Sequence, residues 1–238
     1  MAGQRIPGAT SPTLREPVGW GEPFDLRSAL PGPTGLVATG IGAGLEGLPD
    51  KRGQSPRPSV QPVRRPTPEG EWRRLTVNER DMARTLFGNS VDYNRVKVHN
   101  EEYLWFGLQP DDTAMTPNGE MYFNPKRFKE DFALAGFSDS LWFMHEMVHV
   151  WQHQLGYPVM LRGAIRIGLG YDYTLDAKKT LGDYNMEAQG DLLSDYWAVK
   201  NFSRPPEMHQ TKHINDRALF ETVLRLFIAN PSDKRNLP

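Results

Sequence analysis

Two histidines one helical turn apart enclose a glutamate in the run His145-Glu146-Met147-Val148-His149. On a helix, positions i and i+4 share a face, so both imidazoles can hold one divalent ion while Glu146 projects beside them to deprotonate a water. The surrounding residues Leu141, Trp142, Phe143, Met144, Val150 and Trp151 are apolar. Two imidazoles and a carboxylate inside such a helix are costly unless paired or metal-bound. Satisfied core histidines in a structural helix are the alternative reading. His153 repeats the spacing from His149, but residues 145 and 153 are separated by about 12 Å of helix rise, too far for one ion. Only the first pair has a glutamate directly after its leading histidine, so His153 is assigned to the surface or a supporting role.

The chain has no cysteine, so any metal must use His, Asp or Glu. A catalytic zinc needs a third protein ligand and an open position. The run Tyr184-Asn185-Met186-Glu187-Ala188-Gln189-Gly190-Asp191 offers Glu187 as that ligand and Asp191, one turn on, as the group that orients a ligand imidazole. Asp183 and Asp195 extend the acidity, and a solvated acidic face is the competing reading. Met186, Leu192, Leu193, Tyr196 and Trp197 argue instead for a buried helix.

The elements that must position these groups can be read from pattern and punctuation. Thr76, with Glu79 three residues on, predicts a capped helix ending at Phe87 before Gly88. Arg95 to His99 alternates and reads as a strand. Thr116-Pro117-Asn118-Gly119 predicts a turn feeding the alternating run Glu120 to Phe123, hence a hairpin. A short helix is expected over Pro125 to Ala135. Long helices are expected over Ser138 to Leu155, capped by Ser138 or Asp139 and stopped at Gly156, and over Asp183 to Phe202. A third is expected over Asn215 to Ala229, ended by Pro231. Residues 161–175 read as irregular. The fold class is α+β, a small antiparallel sheet packed with several helices.

His145-Glu-x-x-His149 followed by Glu187-x-x-x-Asp191 resembles the zincin metallopeptidases in their gluzincin arrangement. That resemblance implies a zincin-like fold and a Zn2+ cofactor. It assigns His145, His149 and Glu187 to the metal, Glu146 to general-base catalysis and Asp191 to support of a histidine. The separation of His149 from Glu187 exceeds that of thermolysin-like members, so residues 156–183 would be an insertion or a different substrate wall. The wording His145-Glu-Met-Val-His-Val-Trp-Gln152, Leu155-Gly-Tyr-Pro158, Met115-Thr-Pro-Asn-Gly-Glu-Met-Tyr-Phe123 and Tyr184-Asn-Met-Glu-Ala-Gln-Gly190 is similar to bacterial metallopeptidase toxin domains. These occur at the C-termini of type VI secretion spike proteins or beside Rhs-type toxins. The resemblance spans residues 72–202.

The expected function is therefore a zinc metallopeptidase, a hydrolase acting as a secreted type VI effector toxin on protein substrates. A peptidoglycan endopeptidase or amidase with the same zinc site is one alternative, and a non-catalytic zinc-stabilised binding module with a closed site is another. A secretion-spike carrier and an immunity protein are the partners implied. The expected route is signal-peptide-independent export from the producer's cytoplasm, with action in the target-cell periplasm. Oxyanion donors could come from Tyr171, Tyr173, Tyr184, His209 or His213, each with an ordinary structural role as its alternative. Arg162 and Arg166 could meet a substrate carboxylate or simply lie solvated. The hairpin near Met115 could pair with an extended substrate, with a plain structural hairpin as the alternative.

Composition divides the chain near residue 70. Residues 1–70 hold 12 of the 20 prolines and 12 of the 22 glycines but only two of the aromatics, Trp20 and Phe24. Such a segment buries too little apolar surface to offset the entropy of ordering its backbone. Residues 1–70 are therefore expected to be an extended linker or delivery segment, and residues 71–238 the metallopeptidase domain. Charges nearly cancel, 28 Lys and Arg against 29 Asp and Glu, which argues against nucleic acid as a partner. No run approaches the length of a membrane span, so no membrane insertion is expected.

Overall fold

The computed structural model describes residues 65–104, 109, 111–160 and 170–238. The expectations for residues 1–64 and for residues 161–169, Arg162 and Arg166 included, lie outside the described residues. Four short strands form one sheet: β1 Trp72–Arg74, β2 Lys97–His99, β3 Ala114–Met115 and β4 Met121–Phe123. Their order is β1-β2-β4-β3, with β1/β2 and β3/β4 antiparallel. The central pair β2/β4 is parallel, Val98 opposite Met121. The sheet is thus mixed, which corrects the expectation of an antiparallel one. β3 lies at the edge beyond β4, and β4 runs beside β2 in the same direction.

The β3–β4 hairpin forms at the expected turn, where Gly119 adopts φ 80°, a conformation that L side chains rarely take. Asn118 Oδ1 accepts from the Glu120 N–H and tightens that turn.

Helix α1, Val77–Phe87, begins as the sequence predicts. Thr76 Oγ1 accepts from the Glu79 N–H at 3.0 Å, and Glu79 Oε2 accepts from the Thr76 N–H at 2.9 Å. Such a cap is worth about 1 kcal/mol. Glu79 is fully buried and also takes a two-pronged hydrogen bond from Arg73 at 2.7 Å on each arm. The same carboxylate therefore caps α1 and ties it to β1.

The helix expected over Pro125 to Ala135 contracts to α2, Phe132–Ala135, because Asp131 caps it late by accepting from the Ala133 N–H. Helix α3, Phe137–Gln154, follows directly. Its N-cap is Gly136, with no side-chain cap, so Ser138 and Asp139 lie within its first turn instead of capping it. Helix α4, Met186–Asn201, starts later than expected because Asn185 caps it, accepting from the N–H groups of Glu187 and Ala188. A 3-10 turn, Leu181–Asp183, precedes it. The last expected helix breaks at Leu224 into α5, Arg217–Val223, and α6, Arg225–Ala229.

The pairing of α3 with α4 is the centre of the molecule. Phe143, Met144, Met147, Val148, Val150 and Trp151 of α3 are fully buried, as are Leu192 and Leu193 of α4. Each such side chain contributes roughly 1.5–3 kcal/mol on burial. Trp151 packs between Phe87 and Phe227, and Phe123 of β4 lies 4.2 Å from the ring of Phe132. The apolar surround of the histidine run is thus core packing on every side, and the polar groups of both helices meet at one seam.

Candidate active site and metal site

At that seam α3 contributes His145, Glu146 and His149, and α4 contributes Glu187 and Asp191, all of them buried. The Nε2 atoms of His145 and His149 lie 3.1 Å apart. Glu187 Oε2 stands 3.5 Å from the first and 3.3 Å from the second. The three ligand atoms fall within 4.8 Å of one another.

The other ring nitrogens decide what this arrangement can hold. His145 Nδ1 lies 2.8 Å from Asp191 Oδ1, and His149 Nδ1 lies 2.9 Å from Gln152 Oε1. A carboxylate and an amide oxygen only accept, so both Nδ1 atoms carry the proton and donate it. In neutral rings both Nε2 lone pairs then face each other beside a carboxylate. Lone pairs this close repel unless a proton or a cation lies between them. Two imidazole nitrogens and one carboxylate oxygen are the donor set of a catalytic zinc, so the residues fit the ion.

Without an ion the site is held by protons. Burial disfavours a charged ring at His145, but the Asp191 and Glu187 carboxylates outweigh it and push its pKa up to about 10. Burial alone would raise the Glu187 carboxyl, yet the two histidines hold it well below the usual carboxylate range.

Glu146 accepts a hydrogen bond of 2.6 Å from Thr116 Oγ1, the first residue of the hairpin turn. This links the candidate base to the strand edge. A pocket of about 370 Å³ opens beside it, lined by His145, Glu146, Tyr171, Asp191, His209 and Ala114 of β3. A second pocket, of about 280 Å³, opens beside His149 and Glu187 and is bounded by Met115, Val159, Met160 and Met186. The edge strand β3 therefore places one residue in each.

The suggested oxyanion donors separate cleanly. His209 lines the larger pocket, its Nδ1 3.4 Å from Asp191 Oδ1. Tyr171 lines it too, its ring 6.1 Å from that of His145. His213 has both ring nitrogens engaged elsewhere: Nδ1 meets Asp216 at 2.7 Å and Nε2 accepts from the Leu175 N–H. Tyr184 donates its hydroxyl to the Thr174 carbonyl, and Tyr173 donates to Asp195 at 2.6 Å. The geometry thus withdraws His213, Tyr184 and Tyr173 from the cleft and leaves them structural roles. His153 is exposed and packs against the turn at Gly119, where a Cβ would sit 2.5 Å from its ring.

Sequence reasoning missed three supports. Gly190 faces the His145 ring so closely that a Cβ there would lie 2.5 Å from Cε1. Asp195, for which a solvated acidic face was the competing reading, is fully buried and accepts from the backbone N–H groups of His209 and Gln210. Glu187, Asp191 and Asp195 thus act at successive turns of α4, on the two histidines of α3, on His145 with His209, and on the His209 backbone. Gln152 supports His149. The spacing of four between these acids was a visible signal; the others depend on chain segments remote in sequence.

No protein-family model matches the chain. The type VI secretion system spike protein VgrG2b of Pseudomonas aeruginosa is 42% identical over 137 residues, which cover 54% of this chain and 13% of the spike protein. The chain thus corresponds to a small part of that relative's length. The solved structure of the effector domain of Pseudomonas aeruginosa VgrG2b superposes with a TM-score of 0.53 at 35% identity, covering 68% of this chain and 86% of that domain. With most of that domain matched at this identity, the chain belongs to the family of the VgrG2b effector domain.

Proposed function

We propose that the protein is a type VI secretion effector whose toxicity comes from zinc-dependent hydrolysis of peptide bonds. The observation that carries this reading is the pair of Nε2 atoms 3.1 Å apart, with both Nδ1 protons committed elsewhere, facing a buried glutamate and flanked by Glu146. His145, His149 and Glu187 would hold zinc, which would supply a Lewis acid to polarise a carbonyl and acidify water.

The chain's own residues account for the rest. Glu146, steadied at one oxygen by Thr116, takes a proton from the attacking water and delivers it to the leaving amine as the C–N bond breaks. Asp191 fixes His145 and stands beside His209. His209 and Tyr171 line the same pocket as Glu146 and are the donors proposed for the developing oxyanion. β3 is the edge strand of the sheet among the described residues, has a pocket on each side, and is proposed to pair with an extended substrate. Three protein ligands and an adjoining pocket support an open, catalytic site over a closed structural one.

No helix among the described residues is long and apolar enough to cross a membrane. Delivery by a spike carrier to the target periplasm, with an immunity protein in the producer, completes the proposal. Directing wild type and Glu146→Gln separately to periplasm and cytoplasm tests it: toxicity should appear in the periplasm and only with Glu146. Equal toxicity of the two proteins would overturn the mechanism. Released muropeptides would reassign the substrate to the cell wall.

A further inference from the structure

We infer that a buried relay of side-chain amides, running from the C-terminal segment through Gln189 and Gln152, sets which nitrogen of His149 faces the metal position. The inference rests on the zinc reading only for its consequence on affinity; the direction of the relay follows from hydrogen bonding alone. Gln189 Nε2 lies against two backbone carbonyls, Leu181 O at 2.8 Å and Asn236 O at 3.0 Å. A carbonyl only accepts, so both amide protons of Gln189 are used there and its Oε1 must accept. It accepts from Gln152 Nε2 at 2.9 Å, whose second proton goes to the Met186 carbonyl at 3.2 Å. Gln152 Oε1 is then left to accept from His149 Nδ1, and the lone pair of Nε2 is turned toward His145 and Glu187.

Gln152, Gln189 and Asn236 are all fully buried, so no water competes for these bonds. The C-terminal segment is pinned where it must be. Trp151 Nε1 donates to Pro231 O at 2.8 Å, and Asn236 Nδ2 donates to Asn230 O. At Gly182 a Cβ would lie 2.5 Å from Arg235 O, so only glycine lets the segment approach. His145 is oriented by a carboxylate on the partner helix; His149 is oriented by the end of the chain, through two neutral amides. Gln152 and Gln189 are positioning residues, and residues 230–237 belong to the support of the metal site.

The test uses the full chain with 15N-labelled histidine. In wild type, with and without zinc, His149 should show a proton on Nδ1 that exchanges slowly with water. Gln189→Met removes the relay without touching His149; it should speed that exchange and weaken zinc binding about 10–100-fold in a chelator competition. Gln152→Met should do the same, and the double variant should be no worse than either alone. A wild-type His149 without an Nδ1 proton would overturn the relay, and that measurement stands even where a variant fails to fold. So would wild-type exchange and zinc affinity in a folded Gln189→Met protein. Absence of zinc binding in wild type, with the slow Nδ1 proton present, would sink the metal reading and leave the relay intact.

Discussion

Gly190 of α4 lies directly against the imidazole of His145 on α3, with space for a hydrogen but not for a methyl group. The same helix grips that ring one residue later through Asp191, so its backbone must come within contact distance of the ligand it orients. Helix propensity favours alanine over glycine by about 1 kcal/mol, so the glycine is explained by the ring and not by the helix.

Gly190→Ala is therefore expected to displace His145 while leaving the α3–α4 core in place. Zinc affinity should fall by roughly 10–100-fold, the usual cost of disturbing a ligand's support. Thermal unfolding should show only the ~1–3 kcal/mol of an overpacked site. Unchanged zinc affinity would mean that the ring does not hold this position when the ion is bound.

The two late histidines make opposite predictions. His209→Ala, at the pocket, should reduce kcat by about 100–1,000-fold with zinc content intact. His213→Ala removes a buried ring stacked on Tyr173 and bonded to Asp216, so it should lower stability and leave kcat of the folded protein nearly unchanged. Kinetics and melting curves on the two variants would expose a reversal of these roles.

Protons and zinc should compete for the site with a definite sign. In the metal-free protein burial opposes charge on His145, but Asp191 and Glu187 raise its pKa from 6.5 to about 10. A raised folded-state pKa stabilises the fold fully below 6.5, and that contribution fades as pH climbs through 10. Zinc needs the same nitrogen without its proton, so uptake at neutral pH should expel protons and affinity should fall as pH is lowered. Calorimetric titration in buffers of differing ionisation enthalpy measures this directly; zinc uptake without proton release would contradict the protonated metal-free site.

The parts legible in the sequence are those fixed by neighbours. Thr76 with Glu79 makes a cap within one turn, and Asn118-Gly119 makes a hairpin, because three or four residues contain the whole physical cause. The His145, Glu146 and His149 grouping is equally local. What was not legible depends on distant chain. β1 has three residues, too few to show alternation, and it exists because Trp72 to Arg74 pair with Lys97 to His99. The parallel partnership of β2 and β4 joins strands more than twenty residues apart in a direction that no periodicity encodes. Asp195 carries the same chemistry as an exposed acid, and only the arrival of Tyr173 and the His209 backbone makes it a buried acceptor. Gln152 and Gln189 become supports for His149 only when residue 236 returns to them.

The most direct test is elemental analysis of purified wild type, Glu146→Gln, His145→Ala, His149→Ala and Glu187→Ala after zinc loading and exhaustive dialysis. Wild type and Glu146→Gln should retain equimolar zinc, with hydrolysis of susceptible peptides reduced at least about 100-fold in Glu146→Gln. The other three should retain little or none. Zinc retained without loss in Glu187→Ala, or full hydrolysis by Glu146→Gln, would contradict the account.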